Sequence, residues 1–243
     1  MAVLIRTYGP ARENVHPEYP FWRLQNDCLW EVTADRPLIR RCGHDDPRLS
    51  ELRDANARGV LPQWIVKLIR EDSSVVNDVV ARVLNAHFPR ELHDRLLRDT
   101  GLAKHIVCLT KPLLDYGDYW ESALDAYGYR CAVSGLGVRS GGKAYGVSPT
   151  LIRWPQAGGQ LVLNNTLVLS DFYRELFLFG LMTITPDLRV IMVDGMDMTP
   201  ETKVFVGCHE GRVIRVPNSS SAYPLPQNLS WHNRQVFKGH LVS

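Results

Sequence analysis

The chain has 243 residues, 45% hydrophobic and 22% charged, an ordinary globular composition with room for one large domain or two modest ones. Its 28 basic and 26 acidic residues leave a formal charge of +2, so any nucleic-acid footprint must be a local cluster rather than a uniformly basic surface. Five cysteines at wide spacing with no C-x-x-C pair exclude a disulfide framework and favour a reducing cytoplasm, while no apolar run approaches the ~20 residues of a membrane span.

Thr7 through Pro20 is rich in breakers and reads as an exposed loop, with the apolar run of Met1 to Tyr8 too short for a signal sequence. Phe21-Trp22-Arg23-Leu24 and Leu29-Trp30-Glu31-Val32 predict two short strands turning at Asn26-Asp27. Helical spacing then predicts helices over 49–58, 62–70 and 74–85, with Val75, Val76, Val79, Val80, Val83 and Leu84 forming a core-facing stripe on the third. Glu91 to Arg98 adds a short helix, and Lys111-Pro112 marks a linker before a helix over 115–127. The remainder reads as short strands and glycine turns, with strands near 188–193 and 203–207 and a terminal helix or turn at 231–238. The expectation is an α+β chain: a mainly helical N-terminal domain (1–101) with a short hairpin, a linker (102–114), and a second domain (115–243).

Between Tyr129 and Ser170 there is no acidic residue, while Arg130, Arg139, Lys143 and Arg153 supply four positive charges. Such a stretch is either a solvated face or a phosphate-binding patch. Tyr127-Gly128-Tyr129-Arg130-Cys131-Ala132-Val133-Ser134-Gly135, Leu151-Ile152-Arg153-Trp154-Pro155-Gln156-Ala157-Gly158-Gly159, Asn165 to Ser170 and Trp231-His232 through Val236-Phe237 carry a resemblance. Together they resemble the HNH endonuclease domain of restriction enzymes that attack modified DNA. In that family a histidine deprotonates the attacking water while a metal polarises the scissile phosphate.

The resemblance places the general base at Leu151, which has no lone pair to accept a proton. The two histidines nearer the metal fall on Tyr173 and Arg174, and the structural zinc positions retain Cys131 but hold Ser134 and Ser170. One thiol cannot hold zinc. Asn165 survives, with an ordinary alternative role in bonding a turn. A catalytically inactive scaffold is therefore expected, needing no cofactor; the alternative is an active nuclease using a displaced site with Mg or Zn.

In the N-terminal part, His16-Pro17-Glu18-Tyr19-Pro20-Phe21-Trp22-Arg23-Leu24-Gln25-Asn26-Asp27 and Ala86-His87-Phe88-Pro89 resemble the second half of the sulfur-binding domain that precedes such HNH domains. Those domains recognise a DNA phosphorothioate, whose large, poorly hydrated sulfur prefers an apolar cup. The resemblance implies a cup lined by Tyr19 and Pro20, with His16 nearby and Arg40 or Arg41 supplying charge. The plain alternative is a loop whose Phe21 and Trp22 anchor the core. The family's preceding basic helical segment has no counterpart here, since Lys111-Pro112-Leu113-Leu114 lies out of order. The implied partners are double-stranded DNA and a second subunit supplying that half; no membrane partner is expected. His44, His93, His105, His209 and His240 lack ligand spacing and read as surface or core residues.

Overall fold

The computed structural model describes residues 1–10, 12–38, 46–104 and 117–239. Arg40, Arg41, His44, His105, His240 and most of the expected 102–114 linker lie outside the described residues. The described chain is an α+β structure with 45% helix and 14% strand, its strands grouped in two-stranded antiparallel pairs. It divides into two compact units: Met1–Arg6 with Arg12–Val83, and Thr7–Ala11 with Leu84–Ser243. No helix among the described residues is long and apolar enough to cross a membrane.

The helices are α1 (Ala2–Tyr8), α2 (Glu18–Arg23), α3 (Leu49–Asp54), α4 (Gln63–Glu71), α5 (Ser74–His87) and α6 (His93–Asp99) up to the second half of the chain. Two strands, β1 (Glu31–Thr33) and β2 (Arg58–Val60), pair in the first unit, Glu31 opposite Val60. The expected hairpin of 21–24 with 29–32 is therefore corrected. Its first arm is helical, because Pro17 starts the turn, Glu18 sits in the first turn, and Pro20 falls where an N–H has no intrahelical partner. Its second arm shifts to 31–33 and finds a partner far along the chain, which truncates the helix expected over 49–58 at Asp54.

The first unit has a thin core. Leu52, Ala55 and two prolines, Pro47 and Pro62, are its buried apolar residues among those described, while Trp64 is 62% and Val79 is 53% exposed. The stripe expected to face the core on α5 is thus only partly covered: Leu84 is buried, but Val79 and Val83 are open to solvent. Helical spacing places residues on one face; it does not decide what covers that face.

The second unit holds the main core. Here α7 (Gly117–Ala126), β3 (Val138–Ser140), β4 (Lys143–Tyr145), β5 (Val147–Leu151), β6 (Thr166–Ser170) and α8 (Asp171–Leu178) are followed by β7 (Met182–Ile184), β8 (Val190–Met192), α9 (Pro200–Gly207) and α10 (Pro226–Gln235). The segment 203–207 is helical rather than the expected strand. Thr199 accepts from the Thr202 N–H as an N-cap, with Pro200 at the first position and Glu201 in the first turn, a start signal that outweighs the β-branched residues behind it.

Strand β5 pairs with β6 from Val147 opposite Ser170 to Leu151 opposite Thr166, and α8 follows β6 directly. Leu167, Val168, Leu169, Ile152, Tyr173 and Phe177 are fully buried around this unit of sheet and helix. Gly180 ends α8 in a left-handed conformation; a Cβ there would lie 1.9 Å from the Val236 carbonyl oxygen, so only glycine lets the tail pass so closely.

Three polar side chains lock α10 to this core. His232, fully buried, stacks on Phe177 at 3.6 Å and donates from Nε2 to the Phe177 carbonyl at 3.0 Å. The Thr183 hydroxyl donates to His232 Nδ1 at 2.8 Å, and the Asn233 amide donates in turn to Thr183 and to the Ile184 and Leu229 carbonyls. The chain of donors requires a neutral imidazole, and burial pushes its pKa down to about 3.

Since the unfolded chain takes up a proton on His232 near pH ~6.5 and the folded one only near 3, protons favour unfolding across that window. Its contribution is intact above ~6.5 and falls by about 1.4 kcal/mol per pH unit below it, or about 2 kcal/mol by pH 5. Urea unfolding at pH 7.5 and pH 5.0 is expected to show His232→Gln less stable at the higher pH but losing about 2 kcal/mol less on acidification. Equal acid losses in the two proteins would refute this role.

Candidate nucleic-acid interface

In the first unit, α2 and the turn before it gather four of the residues singled out in the sequence. His16 stacks on Tyr19 with ring centroids 4.9 Å apart and planes 21° from parallel, and the Arg23 guanidinium lies 5.1 Å from the Tyr19 ring centre. Residues 19 and 23 are four apart, which puts them on one helical face. His16, Tyr19, Pro20 and Arg23 are all exposed.

Beneath them, Glu18 is buried, with one carboxylate oxygen 2.8 Å from His16 Nδ1. Arg23 holds Asp46 at 2.5 Å and 3.1 Å, a fork that raises the guanidinium pKa still further. Arg23 lies within the motif 16–27 without a role assigned by the resemblance, and its i, i+4 spacing to Tyr19 is the sequence signal that pairs it with that ring. Phe21 and Trp30 pack at 5.3 Å, and the Trp30 indole donates to the Phe21 carbonyl at 2.9 Å. The outcome is an apolar platform of Tyr19 and Pro20 flanked by an imidazole and a guanidinium.

In the second unit the four cations between 129 and 170 do not form one patch. Arg139 pairs with Ala144 and Lys143 with Ser140, so strand alternation sends the two side chains to opposite faces of the β3–β4 hairpin. Arg139 also lies over the Tyr129 ring at 3.8 Å, and Arg153 Nε donates to the Ala157 carbonyl at 2.8 Å. Arg130 is exposed.

The positions that the HNH resemblance assigns to chemistry fall at the β5–β6–α8 junction. Leu151 ends β5. Asn165 precedes β6 and is 1% exposed; its Oδ1 accepts from the Arg153 N–H at 3.0 Å while its Nδ2 donates to the Arg153 and Gln160 carbonyls at 2.9 and 2.8 Å. All three bonds go to backbone of the connection between the strands. Tyr173 is fully buried in α8 and its hydroxyl meets His209 Nδ1 at 2.8 Å. Burial, and then the nearby Cys208 and Cys131 thiols, push the phenol pKa well above its ordinary value, so it stays protonated at neutral pH.

His209 is thus a partner that sequence reading passed over as scattered. No ligand spacing could have found it, since it arrives from the far end of α9.

These residues do not fit a metal. Ser134 offers Cys131 its backbone N–H at 3.5 Å, Ser170 is a hydroxyl, and Tyr173 is a neutral phenol. Among the described residues no group of three or more His, Cys, Asp or Glu side chains is placed to hold an ion.

Residues 1–105 match the family of ScoMcrA-like DNA sulfur-binding domains. The match covers less than half of the chain, and it supports DNA binding by that part. Among solved structures, a modification-dependent TagI restriction endonuclease aligns with 54% of this chain and 41% of its own, at 20% identity and a TM-score of 0.38, a likeness too slight to carry an argument. No curated protein matches the chain.

Replacing Asn165 by Ala strands two carbonyls and one N–H in a buried site and is expected to cost about 3 kcal/mol of unfolding free energy in denaturant titration. Asn165→Asp should be no better, because a carboxylate would face the two carbonyls that the amide now satisfies. A loss below about 0.5 kcal/mol in both would show that the connection is held by something else.

Proposed function

We propose that this chain is a DNA-binding component of a restriction-type system that reads phosphorothioate-modified DNA and has lost HNH chemistry in its second unit. The observation that carries the reading is the match of residues 1–105 to DNA sulfur-binding domains, which falls on the segment where Tyr19, Pro20, His16 and Arg23 meet at the surface. Sulfur is larger and less well hydrated than the oxygen it replaces, so contact with an apolar platform costs a phosphorothioate less desolvation than it costs a phosphate. His16 and Arg23 then address the remaining charge of the group. Arg40 and Arg41, outside the described residues, would add to that charge.

Loss of cutting is argued from side-chain chemistry. Leu151 cannot accept a proton, and the would-be ligands are hydroxyls and a protonated phenol. The general base and the metal set are replaced together while the apolar surroundings are kept, as expected of a scaffold retained for binding.

A second reading, a partner polypeptide that completes the first unit, is favoured by its thin core and by the exposure of Trp64 and Leu68 at i, i+4 on α4. In that case the preference for modified DNA emerges only in the complex.

Gel shift at low salt is expected to show tighter binding to a duplex with one phosphorothioate than to its all-phosphate twin. Tyr19→Ala should reduce that preference about 10-fold while leaving binding to ordinary duplex nearly unchanged. Equal affinity for the two duplexes in the wild-type protein would sink the sulfur reading.

Separately, elemental analysis of the pure wild-type protein is expected to show no bound zinc, and one zinc ion per chain would overturn the reading that the zinc positions are lost. Metal-dependent cleavage of duplex DNA by pure wild-type protein with Mg²⁺, Mn²⁺ or Zn²⁺ would overturn the loss of nuclease chemistry.

A further inference from the structure

The second unit contains a cavity of about 240 Å³ that the sulfur-binding and nuclease readings leave unused. Its walls are Tyr8, Phe88, Trp154 and Trp231, with the amides of Gln156 and Gln235 at its margin. The aromatic rings meet edge to face in two pairs: Trp154 with Trp231 at 5.5 Å and 68°, and Tyr8 with Phe88 at 6.5 Å and 82°. The walls are set by bonds made outside the cavity. Tyr8 donates its hydroxyl to Asp99 at 2.7 Å, and Gln156 donates to the Asn85 and Phe88 carbonyls at 3.2 and 3.0 Å. Asn165 fixes the connection that carries Trp154 and Gln156.

Three features define what the cavity would take. No carboxylate, ammonium or guanidinium lines it, and its one basic side chain is the His87 imidazole, which favours a neutral guest over a cation. Its volume is below the ~300 Å³ at which drug-sized pockets begin, enough for one planar ring system and not for a stretch of chain. The Trp154 indole N–H is buried with no acceptor, whereas the Trp30 indole has one in the Phe21 carbonyl. Leaving a buried donor unpaired is costly, and because this one is closed off from solvent, a guest with ring nitrogens or carbonyl oxygens would reach it only as the Trp154 indole shifts toward the cavity.

We infer that this pocket receives a single unstacked nucleobase of DNA, stacked on one of the Trp154 and Trp231 rings and meeting the edge of the other, and addressed on its own edge by the Gln235 amide. The inference rests on the reading of the chain as a DNA-binding protein. In a paired duplex both faces of a base are covered by its neighbours, so the base must come from a bulge, a single strand or an extruded position. Stacking of a base on an aromatic side chain is tolerant of sequence, so the pocket would report an unpaired base rather than a particular one.

The test is fluorescence anisotropy with three labelled duplexes: one fully paired, one with a single bulged thymidine, and one with an abasic residue at the bulge. The last two have the same charge and the same backbone distortion. The wild-type protein is expected to bind the bulged thymidine about 10-fold or more tightly than its abasic twin. Trp231→Ala should abolish that difference and Trp231→Phe should restore most of it. Gln235→Trp, at an exposed position of α10, should abolish it by filling the cavity without removing a wall, which keeps the test decisive if Trp231→Ala fails to fold.

Equal binding of the bulged and abasic duplexes by wild type, or a preference that survives both Trp231→Ala and Gln235→Trp, would overturn the inference. Failure of every duplex to bind, with or without phosphorothioate, would remove the DNA-binding reading and this inference with it. A phosphorothioate preference that persists beside equal bulged and abasic binding would remove this inference alone.

Discussion

Asn165 binds three backbone groups at once, and much of the second unit follows from that constraint. By accepting from Arg153 and donating back to Arg153 and Gln160, it folds the fourteen-residue connection between β5 and β6 onto itself. Gly159 is part of the same closure, since a Cβ there would lie 1.9 Å from the Arg153 carbonyl oxygen. A connection whose regular structure is two single 3-10 turns cannot bury its other backbone groups unless they are paired, and one amide pairs three of them here. The reward is placement: Trp154 and Gln156, held by this closure, become walls of the aromatic cavity.

Around this fixed loop, buried apolar groups and paired polar ones hold the elements together. Tyr173 is fully buried and held protonated, and its hydroxyl meets His209. A zinc ion would tie segments together through several strong bonds at once. The Tyr173–His209 bond and the contacts of Phe172 and Tyr173 with Phe205 tie α8 to α9 with weaker, more numerous interactions. The buried His232 network does the same between α8, β7 and α10. Such polar networks are specific because every member must be satisfied, and they are costly to interrupt for the same reason.

The first unit depends on a different balance. With few buried apolar side chains, it relies on local bonds, such as the Trp30 indole on the Phe21 carbonyl and the fork of Arg23 on Asp46. That arrangement leaves Tyr19, Pro20 and His16 at the surface instead of drawing them into a core. A binding platform of exposed aromatic and apolar groups is what a poorly hydrated ligand atom requires, and a large core beneath it is not.

The sequence by itself determined the α+β class, most of the helices, and which side chains could not perform acid–base or metal chemistry, because those properties are local or belong to the residue type. The absence of a lone pair on Leu151 needs no coordinates. Only tertiary structure decided the partners. The strand at 31–33 pairs with 58–60 across a long connection, so periodicity alone suggested a neighbouring arm that is in fact a helix. The α5 stripe was legible as a face, but what covers it is not written in its spacing. Arg139 and Lys143 looked like one basic patch until register sent them to opposite sides. His209 meeting Tyr173, and Tyr8 sharing a cavity with Trp231, are contacts across 36 and 223 positions that no local signal encodes.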